Sequence, residues 1–277
     1  MVPEKHMEEC ECHTCGEKFE GEVTTYTHVT PPRVFRAHEC PKCKEAREAE
    51  EKAAEEEEMR EAIQQTRNLW RRHCGIPAAL QLRTFDNFDR DRQKKIYDVC
   101  KKYAAGFNTE SSFGYHSLIL YSDVPGVGKT HLLAAIANEI IEAWTETSHR
   151  GPCPIIFASG PGLVRRVRST YNLTDFQPKH EREEDIYREV TGCKLLLLDD
   201  VGKETPSRFT RELYWYIIDE RVKSGLPVLI SSRLPLEGED SLEKLMGMDT
   251  VDRLYGMCGG RYETLHGPSY RRDEKIA

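Results

Sequence analysis

An apolar run, Ser117-Leu-Ile-Leu-Tyr121, leads through Asp123-Val-Pro-Gly126-Val-Gly128-Lys129-Thr130 into a segment from His131 to Trp144. In that segment Leu132, Leu133, Ile136, Ile140, Ile141 and Trp144 fall on one helical face. A buried strand, a glycine loop and a helix, in that order, are the setting of a phosphate-binding loop. The residue types follow from the task. Gly126 and Gly128 let the backbone turn so that its N–H groups converge on phosphate oxygens, and the helix N-terminus adds its dipole. Lys129 is expected to reach the β- and γ-phosphates and Thr130 to ligate Mg²⁺. The nucleotide-contacting stretch is therefore expected to run Pro125, Gly126, Val127, Gly128, Lys129, Thr130, His131.

The chain beyond residue 78 alternates helical and strand patterns. Asp89–Ala105 reads as a helix, Pro154–Ala158 as a strand, and Leu163–Tyr171 and Glu183–Val190 as helices. Lys194-Leu-Leu-Leu-Leu198 is apolar on both faces, as a strand inside a parallel sheet must be. Thr205-Pro206 has the chemistry of an N-cap and first helical residue, and Gly225 and Pro227 mark the other end of that helix. Val228–Ile230 and Arg261–Leu265 complete the strands. This order predicts an α/β domain with a mainly parallel sheet. Ligands of such sheets sit outside the carboxyl ends of the strands. Asp199-Asp200, delivered there by Leu195–Leu198, is accordingly expected to hold Mg²⁺ through Asp199 and to orient or deprotonate a water through Asp200.

The first 43 residues have a different character. Cys12-x₂-Cys15 and Cys40-x₂-Cys43 form two CxxC knuckles separated by 24 residues. Four thiolates so paired suit tetrahedral Zn²⁺. A module of this size has little core of its own, so the metal would supply folding energy. Neither pair opens a βαβ unit of the kind that carries redox dithiols, and Cys10 and His13 stand near enough to substitute as ligands. Residues 44–74 are rich in Ala, Glu, Lys and Arg up to His73, without Gly or Pro, and read as a solvated helical linker ended by Gly75-Ile-Pro77. The expected layout is a zinc-binding module over 1–43, the linker over 44–74 and a nucleotide-binding domain over 75–277.

Composition narrows the setting. The chain has 40 Lys and Arg against 47 Asp and Glu, a net charge of −7. Of these, residues 1–73 hold 12 basic and 17 acidic side chains, leaving the larger part near neutral. A nucleic-acid surface would therefore have to be a local patch. Arg165, Arg166 and Arg168, followed by Tyr171, are the strongest candidate for holding single-stranded phosphate and stacking a base. Such a cluster also suits a solvated helix face, and the sequence leaves both open. Arg33 and Arg36 around Phe35 form a weaker candidate. No run reaches the ~18 apolar residues of a membrane span, and the start lacks the apolar core of a secretory signal. A cytoplasmic chain with reduced cysteines is expected, in which paired Cys point to metal before disulfide.

Several segments together resemble the AAA+ ATPases of the DnaC/DnaI helicase-loader and IstB-like branch. They are Gly75-Ile-Pro77, Thr84–Phe88, Gly126–Ile136, Leu197–Gly202, Leu229–Ser232, Val251–Leu254 and Ser269–Arg271, and the resemblance spans roughly 75–272. It implies that Arg253 is an arginine finger acting on a neighbouring subunit's nucleotide, so that the protein self-associates, and that Arg271 senses its own subunit's nucleotide. It also implies that helices near Arg165 face single-stranded DNA, and that the small zinc module contacts a hexameric replicative helicase.

Three departures stand out. Asp123 replaces the first glycine of the loop. Asp200 stands where many such ATPases carry Glu, which predicts slow hydrolysis. Ser231-Ser232-Arg233 replaces an amide sensor, so that either Ser232 takes that role or Arg233 binds phosphate. The resemblance implies an ATP-, Mg²⁺- and Zn²⁺-dependent helicase loader of bacterial or phage origin, with Lys129, Asp199, Asp200, Arg253 and Arg271 as its catalytic set. An IstB-like transposition ATPase, a non-hydrolysing ATP-gated adaptor and a zinc-finger scaffold with a vestigial loop are the alternatives.

Overall fold

The computed structural model describes residues 3–27, 30–107, 112–143, 153–171, 181–260 and 262–272. They form two compact units, Met1–Gln64 and Gln65–Ala277.

In the first unit three antiparallel strands lie in chain order: β1 (Glu4–Glu11), β2 (Lys18–Tyr26) and β3 (Arg33–Arg36). β1 has no clear apolar alternation, and the sequence pattern gives no warning of it. Val23 and Cys10 are the buried apolar side chains of this sheet, a core too small to stabilise it alone. Helix α1 (Pro41–His73) opens with proline at its first position, where the missing N–H is not needed. Cys40 stands at the cap: its Sγ accepts from Cys43 N–H at 3.4 Å and its carbonyl from Lys44 N–H at 2.9 Å. The helix is 33 residues long without an internal breaker, and the division between the two units falls within it, after Gln64. Its mostly exposed surface is that of the expected solvated helix.

The second unit is built on a wholly parallel sheet. Its strands are β4 (Leu118–Tyr121), β5 (Ile155–Ser159), β6 (Leu195–Val201), β7 (Val228–Ser232) and β8 (Glu263–Thr264), in the order β5-β6-β7-β4-β8. Side chains alternate between two cores. Leu118, Leu120, Phe157, Leu195, Leu197 and Leu229 face one; Ile119, Ile156, Leu196, Leu198, Val228 and Ile230 face the other. The first core takes α2 (Lys94–Gly106) and α3 (Lys129–Ala143). The second takes α4 (Gly160–Thr170), α5 (Glu183–Gly192), α6 (Arg208–Lys223), α7 (Leu242–Met246) and α8 (Met248–Met257). Each buried Leu or Ile contributes about 1.5–3 kcal/mol. Coverage on both faces is what the near-continuous apolar strands require. The α/β class with a mainly parallel sheet is thus borne out.

One helix start shifts. Helix α6 does not start at Thr205-Pro206: Ser207 is extended, and its hydroxyl accepts from Thr210 N–H at 3.1 Å, so the cap lies two residues later. The Thr205 carbonyl instead accepts from the Thr210 hydroxyl. The expected ends at Trp144 and Arg261 lie outside the described residues.

One cation is sealed into the second core. Arg221 is fully buried and donates to the carbonyls of Val190 (2.8 Å), Cys193 (3.1 Å) and Pro227 (2.5 Å). It ties the end of α5 to the turn entering β7. Burial pushes its pKa down, with the Cys193 thiol opposing. Arg221→Ala should orphan these carbonyls and leave a cavity, costing about 3 kcal/mol. A drop of roughly 6–12 °C in thermal midpoint is expected for a domain of this size, checked by calorimetry.

Candidate nucleotide site and cysteine cluster

Strand β4 ends at Tyr121 and the loop begins. Ser122 N–H donates to Ser232 O at 3.2 Å, so the loop starts fastened to the end of β7. Gly126 (φ 77°) and Gly128 (φ 104°) both take the left-handed conformation. A Cβ on Gly128 would come within 2.7 Å of the Phe88 ring, so sterics and backbone both require glycine there. Helix α3 then opens at Lys129.

The loop borders a cavity of about 430 Å³. Pro125, Gly126, Val127, Gly128, Lys129, Thr130 and His131 all line it, as do Asp200 and Arg271. The Lys129 ammonium is held by the loop's own carbonyls, Ser122 O at 2.9 Å and Val124 O at 3.3 Å. Burial lowers its pKa to about 8, with Asp200 the largest opposing charge. Asp199 stands just behind. Its Oδ1 accepts from the hydroxyls of Thr130 (3.0 Å) and Ser231. Burial pushes its carboxyl up, against the Ser231 and Thr130 hydrogen bonds. One carboxylate and one hydroxyl thus meet at the mouth of the loop, the oxygen donor set a hard Mg²⁺ takes together with phosphates and water.

Asp200 enters the cavity from a bulge in β6 and ion-pairs with Lys203 at 2.5 Å. Arg233 also lines the cavity, and its Nε donates to Asp123 O at 3.3 Å. Ser232 turns away from the cavity: its hydroxyl donates to Val201 O and accepts from Leu234 N–H. The Asp123 side chain is exposed, outside the lining.

Lys203, Phe88 and Tyr270 also line the cavity, with no site role assigned to them from the sequence. Lys203 adds a cation. Phe88 and Tyr270 form an aromatic wall, with His131 edge-on to Phe88 and Arg92 over Tyr270 at 4.7 Å. Tyr270 N–H donates to Gly126 O at 3.0 Å, which brings the neighbouring Arg271 to the loop from 145 positions downstream. Only the glycine and aromatic content of these segments hinted at such contacts.

The other expected site residues lie elsewhere. Arg253, on α8, ion-pairs with Asp219 of α6 and does not line the cavity. On α4, Arg166 is engaged by Glu181 and Glu189. Arg165 and Arg168 face a separate cleft of about 230 Å³, and Arg168 stacks over Phe209 at 5.0 Å.

In the first unit the sulfurs of Cys12, Cys15, Cys40 and Cys43 lie within 4.8 Å of one another, and those of Cys15 and Cys40 are 3.8 Å apart. A tetrahedron with Zn–S bonds of about 2.3 Å has edges of about 3.8 Å, so this donor set fits zinc. Cys40 N–H donates to Cys12 Sγ at 3.3 Å. That bond is the main cause lowering the Cys12 thiol to about 6, towards the thiolate a metal needs. Cys10 is buried against Gly21 and His13 packs on His38; neither belongs to the cluster.

A glycine loop after the interior strand β4, with acidic residues on β6 across β7, gives the architecture of a P-loop domain of the AAA+ fold. The chain is 27% identical over 192 residues to the replicative helicase loader DnaC of Buchnera aphidicola from Acyrthosiphon pisum, covering 68% of this chain and 69% of that protein. It is 26% identical over 204 residues to Escherichia coli K12 DnaC, covering 73% of each. The crystal structure of a DnaC helicase loader superposes with a TM-score of 0.50 at 24% identity, over 68% of this chain and 98% of that one. No protein-family model matches the chain. The DnaC-type resemblance carried by the motifs is borne out, with the four-cysteine module as an N-terminal addition to the AAA+ fold.

Proposed function

We propose that the chain is an ATP-driven loader of a replicative DNA helicase. The observation that carries this is the meeting of Lys129, Thr130, Asp200, Arg233 and Arg271 around one cavity at the carboxyl end of a parallel sheet, in a relative of DnaC. The triphosphate would lie along the loop amides. Lys129 would exchange two loop carbonyls for phosphate oxygens, and Arg271 and Arg233 would hold the far end. Thr130 and Asp199 would hold Mg²⁺, which when bound neutralises charge on the β- and γ-phosphates. Asp200 would align the water and take its proton.

In this proposal Arg253 serves a neighbouring copy after leaving Asp219. Arg165 and Arg168 meet single-stranded DNA from their own cleft, while Arg166 is occupied by its two carboxylates. Asp219 is buried, but it also pairs with Lys223 at 2.7 Å, so it would keep one cation when Arg253 leaves. The four-cysteine module, holding zinc, would engage a hexameric helicase. The cellular setting that follows is the cytoplasm of a bacterium or a phage-infected one; among the described residues no helix is long and apolar enough to cross a membrane.

A second use of the site, ATP-gated binding without turnover, is favoured by the Lys203–Asp200 ion pair, which occupies the expected base. Phosphate release with and without single-stranded DNA separates the two. Co-purification with a hexameric helicase in ATP, lost on Lys129→Ala, is the expected result for the loader. Nucleotide-independent capture, or none, would refute it.

A further inference from the structure

Asp200 is the one non-glycine residue with positive φ, 55°, among the described residues. Such a conformation persists only where its surroundings over-determine it. The cause lies in β6. Leu198 pairs with Ile230 and Val201 with Ser232, so three steps on β6 match two on β7. The extra residue makes a bulge, a device that re-aims a side chain. Here it re-aims Asp200 into the nucleotide cavity.

Two groups fasten the bulge. On the β7 side the Ser231 hydroxyl accepts from Asp200 N–H at 3.0 Å. On the other side stands Glu204, a mostly buried carboxylate with no part in lining the cavity. Its Oε2 accepts from Gly202 N–H at 2.7 Å, and its Oε1 from the hydroxyl of fully buried Tyr214 at 2.5 Å. Gly160 lies so close that a Cβ there would overlap the carboxylate. Both oxygens are therefore committed, one to the backbone just past Asp200 and one to an anchor in the second core.

We infer that Glu204 is the positioning residue for Asp200: through Tyr214 and Gly202 it holds the bulge that turns Asp200 towards the nucleotide. This rests on the ATPase reading of the cavity. Glu204→Ala removes the brace, and a misplacement near 1 Å is worth up to about 100-fold in rate. The expected result is a 10- to 100-fold fall in kcat (order of magnitude) with KM for ATP within about 2-fold. Glu204→Gln should restore most of the rate, since its carbonyl can accept from Gly202 and its amide can donate to the Tyr214 oxygen. In an Asp200→Asn background Glu204→Ala should cost nothing more, because the group it aims is already gone.

A folded Glu204→Ala protein with wild-type kcat overturns the inference. So does an equal loss in the Asp200→Asn background, or a parallel loss of nucleotide affinity. If melting shows Glu204→Ala unfolded, Tyr214→Phe decides: a lowered kcat at unchanged KM supports the brace and an unchanged kcat refutes it. A wild-type protein that binds ATP without releasing phosphate fails the ATPase reading itself, and the inference with it. That result is distinct from a hydrolysing wild type with indifferent variants.

Discussion

Lys129→Ala should weaken ATP binding by about 100-fold, measured by titration with a fluorescent ATP analogue. A charge-assisted hydrogen bond contributes roughly 1.5–3 kcal/mol, and Lys129 is the buried cation of the cavity. At 1.4 kcal/mol per tenfold, the upper end of that range gives the expected factor. The lysine is held in waiting by Ser122 and Val124 carbonyls, so its removal leaves those two acceptors and changes little of the apolar core. Stability should accordingly shift far less than affinity. A variant that lost affinity only because it unfolded would show a lowered melting temperature without nucleotide. Affinity within threefold of wild type would mean that the triphosphate is gripped elsewhere.

Stripping zinc should have the other large effect. One equivalent of zinc per chain is expected by elemental analysis. Cys12→Ser or Cys40→Ser should abolish it, because the four sulfurs form one closed set. Structural zinc sites supply about 10–16 kcal/mol of apparent binding energy at neutral pH. The three-stranded sheet, with Val23 and Cys10 as its buried apolar side chains, has nothing comparable to offer. Chelation should therefore release the 1–40 segment to protease while ATP binding persists, since the loop, Asp199 and Asp200 belong to the other compact unit. Full metal content in Cys12→Ser, or loss of ATP binding on chelation, would contradict this assignment.

What was legible in the sequence was local chemistry. The strand–loop–helix from Ser117 to Ala143 follows from apolar patterning and from glycines that only a turn needs, and Asp199-Asp200 from the end of a run too apolar to lie elsewhere than in a sheet. The two CxxC pairs announce their meeting because adjacent thiols in a small module have few other uses. Contacts set by tertiary packing were less legible. Phe88 and Tyr270 are ordinary aromatic residues until chain segments far apart in sequence close on Gly128 and Gly126. Arg166 and Arg168 look alike in a helical pattern, yet Glu181 and Glu189 claim the first and Phe209 the second. Glu204 reads as an exposed turn residue, and only the fold of α6 brings Tyr214 to it. Helix α6 opens later than Thr205-Pro206 suggests because Ser207 is also a competent cap, and its hydroxyl accepts from Thr210 N–H while the buried Thr210 hydroxyl bonds the Thr205 carbonyl.

The backbone bond from Tyr270 to Gly126 gives the downstream segment a sensory use. If nucleotide binds this loop, its arrival is expected to shift the bond that ties Tyr270 to Gly126, and with it the turn Tyr270–Arg272. A small environment-sensitive dye placed at Arg272 would then broadcast each arrival and departure of nucleotide in real time, without touching any group that does the chemistry.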